Sequence, residues 1–259
     1  MDLGLAGKKA IVCASSRGLG RACALSLARE GVAVVINGRD AESLDQAAAE
    51  IHSETGSDVT PVVANLDSPE ERERLVAACP EADILVNNNG GPAPGRFEDW
   101  DHVQWLAALE SNLLAPAMLI RALLPGMKER RFGRIVNITS AMVKTPVAPM
   151  ALSTTARSGL TALCKSISKP AAPFNVTINN LLPERFDTDR QIEMANTVSK
   201  LSGVTFEEAR AQQVASIAAG RLGLPSEFGD ACAFLCSAQA SFISGQNLQL
   251  DGGSYDGLI

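Results

Sequence analysis

The 259 residues, 46% hydrophobic and 20% charged, supply enough apolar material for one large α/β domain with a sizeable core. A net charge of −6 and a pI near 5.1 argue against a nucleic-acid partner or an anionic membrane surface. No run approaches the roughly 18 uninterrupted apolar residues of a membrane helix, Met1–Lys9 lacks an apolar signal core, and the six cysteines (Cys13, Cys23, Cys79, Cys164, Cys232, Cys236) form no CxxC pair, so the expected compartment is the reducing cytoplasm.

Along the chain, apolar runs alternate with helical patterns. Lys8–Ala14 reads as a buried strand, Gly18–Glu30 as a helix, Val32–Asn37 as a strand, Ala41–Glu54 as a helix and Asp58–Ala64 as a strand. Ser68 has the character of an N-cap, with Pro69 at the first helical position. Asp83–Asn87 and Arg134–Thr139 are continuous apolar strands separated by one long helix from about Asp101 to Arg130. A helix over Leu152–Lys169, a strand over Val176–Leu182 and a last strand over Gln246–Leu250 complete the series.

Strands without polar alternation, spaced by helices, predict a Rossmann-type doubly wound parallel sheet of about seven strands with helices on both faces. With no repeat or linker, residues 1–259 read as a single domain. The helical insertion at 188–220 (Thr188–Gly220) follows the sixth strand, at the sheet edge where clefts form. That position makes it an expected lid; the alternative is a surface helical hairpin.

Between the first strand and the first helix lies Cys13-Ala14-Ser15-Ser16-Arg17-Gly18-Leu19-Gly20. Glycines in such a turn let backbone amides approach a pyrophosphate, and the helix N-terminus attracts its charge. A tight turn that binds nothing is the competing reading. The segment resembles the TGxxxGxG turn of the short-chain dehydrogenase/reductases, with Cys13 and Ala14 in place of the Thr and first Gly.

The resemblance extends over the whole chain and implies a set of cofactor contacts. Ser15, Ser16, Arg17, Gly18, Leu19 and Gly20 would cradle the diphosphate. Arg39 follows the second strand, where the adenosine ribose lies, and Gly38 stands where NAD-preferring members tend to have Asp. A guanidinium suits a 2′-phosphate, so the expected cofactor is NADP(H) rather than NAD(H), with Arg17 and Arg39 on one ligand face. Asn65 and Leu66 match the adenine position, and Asn87-Asn88-Asn89-Gly90 resembles NNAG, making Asn88 and Gly90 both structural and cofactor-lining. Pro183-Glu184-Arg185-Phe186-Asp187-Thr188 resembles PGxxxT, placing Phe186 and Thr188 near the nicotinamide amide, with Glu184 replacing Gly. Gly245 and Asp251-Gly252-Gly253 match the last strand and its exit turn.

At the catalytic positions the family uses Asn, Ser and a YxxxK pair, a phenol tuned by lysine for acid/base work. Carry-over gives Asn112, Ser140, Ser153 for the Tyr and Arg157 for the Lys. The chain's sole tyrosine, Tyr255, lies beyond the final strand. A serine hydroxyl is shorter and far less acidic than a phenol; arginine stays charged, so it can hold ribose hydroxyls but not shuttle protons. The expectation is an altered relay using a water ordered by Ser140, Ser153 and Arg157, or Lys144 in the loop after the fifth strand. His52 and His102 receive no role, and no metal cluster is expected.

The pattern is similar to divergent acyl-carrier-protein reductase-like members of the family that lack the YxxxK pair. It implies reduction of a small or mid-sized carbonyl, or oxidation of the alcohol, in a cleft bounded by Gly91–Phe97, Lys144–Met150 and the lid. A dinucleotide-binding pseudoenzyme, a scaffold without cofactor and a non-redox lyase stay open as alternatives. A homodimer or homotetramer is expected, with packing altered by Pro170 in the helix that lies between subunits in the family.

Overall fold

The computed structural model describes residues 2–258; the outermost residue at each end, counted within the expected 1–259 domain, lies outside the described residues. Its frame is a seven-stranded sheet in the order β3-β2-β1-β4-β5-β6-β7, with every pairing parallel. The strands are β1 (Lys9–Val12), β2 (Ala33–Gly38), β3 (Val59–Val63), β4 (Ile84–Asn87), β5 (Gly133–Ile138), β6 (Val176–Pro183) and β7 (Asn247–Leu250). All of the strands expected from apolar runs are present, most of them trimmed at the ends where the backbone turns away from its neighbour. Pro61 is tolerated because β3 is an edge strand, where a missing N–H breaks no inner ladder.

Alternation of side chains explains why strands such as Ala10-Ile11-Val12 are apolar throughout. Ala10 and Val12 join the core layer under α1 (Gly18–Arg29), α2 (Ala41–Thr55) and α9 (Pro225–Cys236). Ile11 joins the opposite layer, under α3 (Pro69–Ala78), α5 (Ala115–Glu129) and α6 (Ala151–Ala171). Ser68 caps α3 as its spacing requires, its hydroxyl accepting the Glu71 amide at 3.3 Å. Strand order reverses between β1 and β4, which opens a crevice at the C-terminal edge of the sheet.

Asparagines interrupt the apolar strands at matched register. Asn87 donates to Asn137 at 2.9 Å, Asn137 to Asn180 at 2.9 Å and Asn180 to the exposed Asn247 at 2.7 Å, so an amide ladder crosses from the buried β4 to the edge strand β7. Each link satisfies a polar group that would otherwise be stranded in the core, and a slip of one residue would break all of them.

Helix α9 was not expected from the sequence. Its start is marked by Pro225 in the first turn and by Glu227, whose carboxylate accepts the Leu224 amide at 2.7 Å and a two-pronged contact from Arg221. It crosses α1 at Gly229, where an added Cβ would sit 2.4 Å from the Ala22 carbonyl oxygen. Gly229→Ala should therefore force these helices apart and cost about 2–3 kcal/mol of stability, read as a lower urea midpoint at unchanged slope.

The expected single helix from Asp101 to Arg130 is a correction. It divides into α4 (His102–Leu109), a π-helical turn (Glu110–Leu114) and α5. The Ala115 amide bonds back to the Glu110 carbonyl, one residue beyond regular spacing. Pro116 accounts for this: in a regular helix its ring would strike the carbonyl of Asn112, and the wide turn removes the clash. By length and composition alone, His102–Glu129 could cross a membrane (28 residues, mean hydropathy 1.3). Here Leu119, Ile120, Leu123 and Met127 pack on the sheet, while Val103, Leu106, Leu114 and Met118 form an exposed strip.

The insertion after β6 comprises α7 (Asp189–Ser202) and α8 (Phe206–Ala215), packed on each other. Its base is pinned by a parallel bridge between Phe186 and Gly223, with Asp187 donating to the Gly223 carbonyl at 2.8 Å.

Candidate cofactor and active site

The turn after β1 is held by asparagine side chains. Ala14 donates its amide to Asn37 Oδ1 at 3.2 Å, and its carbonyl accepts Asn88 Nδ2 at 3.1 Å. Its φ of +44° is left-handed, a conformation that disfavours any Cβ. Gly18 is also left-handed at φ +59°, and a Cβ on Gly20 would lie 2.3 Å from the Ala14 oxygen. Only glycine at position 20 lets α1 seat against the turn. Arg17, the residue preceding α1, makes no side-chain capping bond, and the first turn carries no acid. The leading amides of α1 therefore face the crevice with their positive end open to an anion.

Ala14→Gly should relieve the backbone strain and stabilise the fold by about 1 kcal/mol. The check is chemical denaturation run with and without dinucleotide; an unchanged midpoint would show that the turn is not strained.

Ser15, expected among the cofactor contacts, has its side chain already engaged within the protein. It is fully buried, and its hydroxyl is spent on the Val12 carbonyl at 2.7 Å and the Asn37 amide at 3.0 Å, so the side chain ties β1 to β2. Ser16 remains half-buried next to Gly38, and Leu19 is half-buried one residue before Gly20. Thr188 lies across the turn, its methyl 3.9 Å from where a Gly18 Cβ would be. The root of the insertion and the glycine turn thus form opposing walls.

At the adenosine end, Arg39 is exposed and has no acid partner among the described residues. Arg17 leans toward Asp189 at 3.9 Å, so the two arginines have different surroundings. Asn65 is exposed, with Oδ1 accepting the Asp67 amide at 3.2 Å; Leu66 is buried, and its carbonyl is held by Arg72.

At the other end, the candidate catalytic residues come together. A Cβ on Gly91 would lie 3.4 Å from Ser153 Oγ, 3.7 Å from Arg157 Nη2 and 3.9 Å from Asn112 Oδ1. Asn112 sits in the wide turn and donates to the Gly90 carbonyl at 3.0 Å. Its Oδ1 and that of Asn87 are buried without partners and line a cavity of about 10 Å³ bordered by Asn88, Arg157 and Leu160, room for about one water. Ser140 follows β5, its hydroxyl accepting the Met142 amide at 3.2 Å.

Arg157 is not free to hold a ribose with its whole fork. Nε donates to Ser153 Oγ at 3.1 Å, Nη1 to the carbonyls of Ile138 and Thr139 at 2.7 and 3.2 Å, and Nη2 to that of Asn89 at 3.2 Å. The guanidinium staples the ends of β4 and β5, because those carbonyls have run out of strand partners. Burial, with Arg190 nearby adding like charge, lowers its pKa to about 10, which still leaves it cationic at neutral pH. Phe186, expected near the nicotinamide amide, has its ring in the core, edge-on to Phe228 with centroids 5.2 Å apart. Its carbonyl accepts Thr188 Oγ1 at 3.3 Å.

Three residues near this edge were given no role by the sequence. Tyr255, remote from α6 in sequence, lies beneath Lys144, whose ammonium is 5.0 Å from the ring centroid. Arg190 reaches from α7 to the Pro92 carbonyl at 3.4 Å. Glu184 stands at the end of β6, its carboxyl pushed above the usual range by burial, with Asp251 adding to the shift and Arg185 opposing it. The signal available for all of these was topological: their segments leave neighbouring strands at one edge. No group of three or more metal-ligating residues occurs among the described residues.

Similar proteins share this architecture end to end. The family model described as enoyl-(acyl carrier protein) reductase matches residues 13–255. The chain is 34% identical to the uncharacterized oxidoreductase YvaG of Bacillus subtilis, covering 98% of each. It is 33% identical to the 3-oxoacyl-[acyl-carrier-protein] reductase FabG of Aquifex aeolicus, covering 98% of this chain and 100% of that one. Among solved structures, L-sorbose reductase of Gluconobacter frateurii, complexed with NADPH and L-sorbose, superposes with a TM-score of 0.95 at 27% identity over 100% of both chains. With the glycine turn, the strand order and a full-length family match in agreement, the chain belongs to the short-chain dehydrogenase/reductase family.

Proposed function

We propose that this protein is an NADP(H)-dependent oxidoreductase that reduces a small or mid-sized carbonyl, or oxidises the corresponding alcohol. The observation that carries this reading is the convergence of Asn112, Ser153 and Arg157 on Gly91, beside Ser140, at the edge where the glycine turn opens. The residues present fit the dinucleotide: the Gly20 cradle, the open amides of α1 and Arg39, which has no acid partner among the described residues, suit its phosphates. NADPH-dependent relatives, among them the sorbose reductase complexed with NADPH, support the same assignment.

When bound, the nicotinamide supplies or accepts the hydride. Ser140 would hydrogen-bond the substrate oxygen, and the Arg157 charge would favour the oxyanion that develops there. Ser153, already bonded to Arg157, would orient water, and Asn112 would hold a water of the relay through its unpaired Oδ1. Ser153 and Arg157 stand where the family's Tyr and Lys would be, so we read the chain as a divergent acyl-carrier-protein reductase-like member with an altered relay. The insertion at 188–220 would act as the lid of a single domain. The exposed strip of Val103, Leu106, Leu114 and Met118 supports a homodimer or homotetramer, and the cytoplasm is the proposed compartment.

The test is NADPH oxidation over a panel of carbonyls. Ser140→Ala should lower kcat by about 10²-fold while leaving the NADPH dissociation constant unchanged. A pseudoenzyme is the second reading, favoured by the engagement of Arg157 with backbone carbonyls; tight NADPH binding with no turnover on any carbonyl would establish it.

A further inference from the structure

The chain carries a net charge of −6, yet the loops beside the candidate site are basic. Gly91–Phe97 and Lys144–Met150 contain Arg96 and Lys144 and no acid. They are joined where the Gly95 amide donates to the Pro149 carbonyl at 2.9 Å. The insertion adds a third cation, Arg190, from the first turn of α7.

Two observations locate Arg190. Its Nη2 donates to the carbonyl of Pro92 at 3.4 Å, the residue next to Gly91, and Gly91 is where Ser153, Arg157 and Asn112 converge. Its charge also reaches Arg157, where it adds to the effect of burial in lowering that pKa. A guanidinium from the insertion and one from α6 therefore share a small region at the mouth of the site.

Neither is matched by an acid among the described residues. Arg157 is held by the Ser153 hydroxyl and by backbone carbonyls, all uncharged. The acids nearest Arg190 in sequence face other arginines: Asp187 accepts Arg210 at 2.6 Å, and Asp189 lies 3.9 Å from Arg17. Of the loop cations, Arg96 has Glu98 at 3.6 Å and Lys144 sits over the Tyr255 ring. Arg190 has the Pro92 carbonyl, at a distance beyond the roughly 3.2 Å of a well-formed N–H···O bond. Like charges kept this close repel, and an anion bound beside them removes the repulsion.

Resting on the reductase reading above, we propose that Arg190 determines specificity and that the substrate is a carbonyl compound bearing a carboxylate, an oxo acid reduced to the hydroxy acid. Arg190 exchanges its long bond to Pro92 for a two-pronged contact with the carboxylate, while the carbonyl oxygen lies toward Ser140 and Arg157. Hydride and proton add across the C=O bond, and the carboxylate leaves unchanged. The planar fork of one guanidinium matches the two oxygens of a carboxylate. A dianionic phosphate calls for further donors, and those of Arg157 are largely spent on carbonyls.

The test compares pyruvate, acetoacetate and levulinate with their methyl esters in NADPH oxidation by the full chain. For at least one acid, kcat/KM should exceed that of its ester by about 10²-fold. That preference should shrink in added salt, since Arg190 is exposed. Arg190→Ala should bring the acid-to-ester ratio close to one, chiefly through the KM of the acid. Arg190→Lys keeps the charge and loses the fork, so it should retain part of the preference. The side chain is exposed, so neither variant removes core packing. An arginine that merely latched the insertion to Pro92 would, when replaced, lower acid and ester alike and leave their ratio intact. That result overturns the proposal, as does a wild type that reduces every ester as well as its acid or prefers dihydroxyacetone phosphate to all three acids. Failure of the reductase reading looks different: no NADPH is consumed with acid or ester. Calorimetric titration of the three acids into the NADPH-saturated protein then decides where Arg190 stands. Binding of one acid about tenfold tighter in the wild type than in Arg190→Ala supports the anchor, and equal or absent binding overturns it.

Discussion

Arg157→Ala should lower the unfolding free energy by about 3 kcal/mol, seen as a fall in urea midpoint, because it orphans three carbonyls at once. Those of Ile138, Thr139 and Asn89 lie at the ends of adjacent strands, and no other donor on α6 reaches them. Removing the guanidinium also removes a buried charge, which offsets part of the loss and keeps the figure below the sum of its bonds. Arg157→Lys tests the geometry rather than the charge. An ammonium has no planar fork, so it can serve the β5 carbonyls or that of Asn89, but not both; about half the loss should remain. If the alanine variant matches the wild type in stability, the staple is not what holds these strand ends.

Arg39→Asp should raise the NADPH dissociation constant by about 10²-fold and leave that for NADH unchanged or improved. Arg39 has no acid partner among the described residues, so its attraction for a 2′-phosphate is not already spent. Reversing its charge replaces attraction with repulsion at one ligand group that NADH lacks. The site is exposed, so added salt should shrink the difference between NADPH and NADH in the wild type. Equal losses for both dinucleotides would place Arg39 on some other part of the ligand.

What could be read from the sequence was what short segments encode for themselves. The buried strands are largely apolar runs broken only at a few polar positions, and the turn at Gly18 and Gly20 declares itself because only glycine permits its close approach. Helix α9 stayed hidden since its apolar face is built largely from alanine, glycine and cysteine, and its signal is confined to Pro225 and Glu227. The wide turn at Glu110–Leu114 left no trace because an apolar period of 3.6 tolerates one residue of excess. Asn112, Ser140, Ser153 and Arg157 were proposed by matching positions, but the destination of a side chain was not legible: Arg157 turned to carbonyls, Phe186 to the core and Ser15 to β2. Glu184 and Tyr255 depended on which strands end side by side, which is a property of the sheet rather than of any segment.

The π-helical turn has one more effect. Accommodating an extra residue rotates everything upstream by about 100° relative to α5. Val103 and Leu106 lie upstream of it, Asn112 within it, and Leu114 and Met118 at or beyond its end. The outer strip and the amide that reaches Gly90 are thus geared to one another. Shortening this stretch by a residue would turn the strip out of line and unship the amide together, so neither can drift without the other.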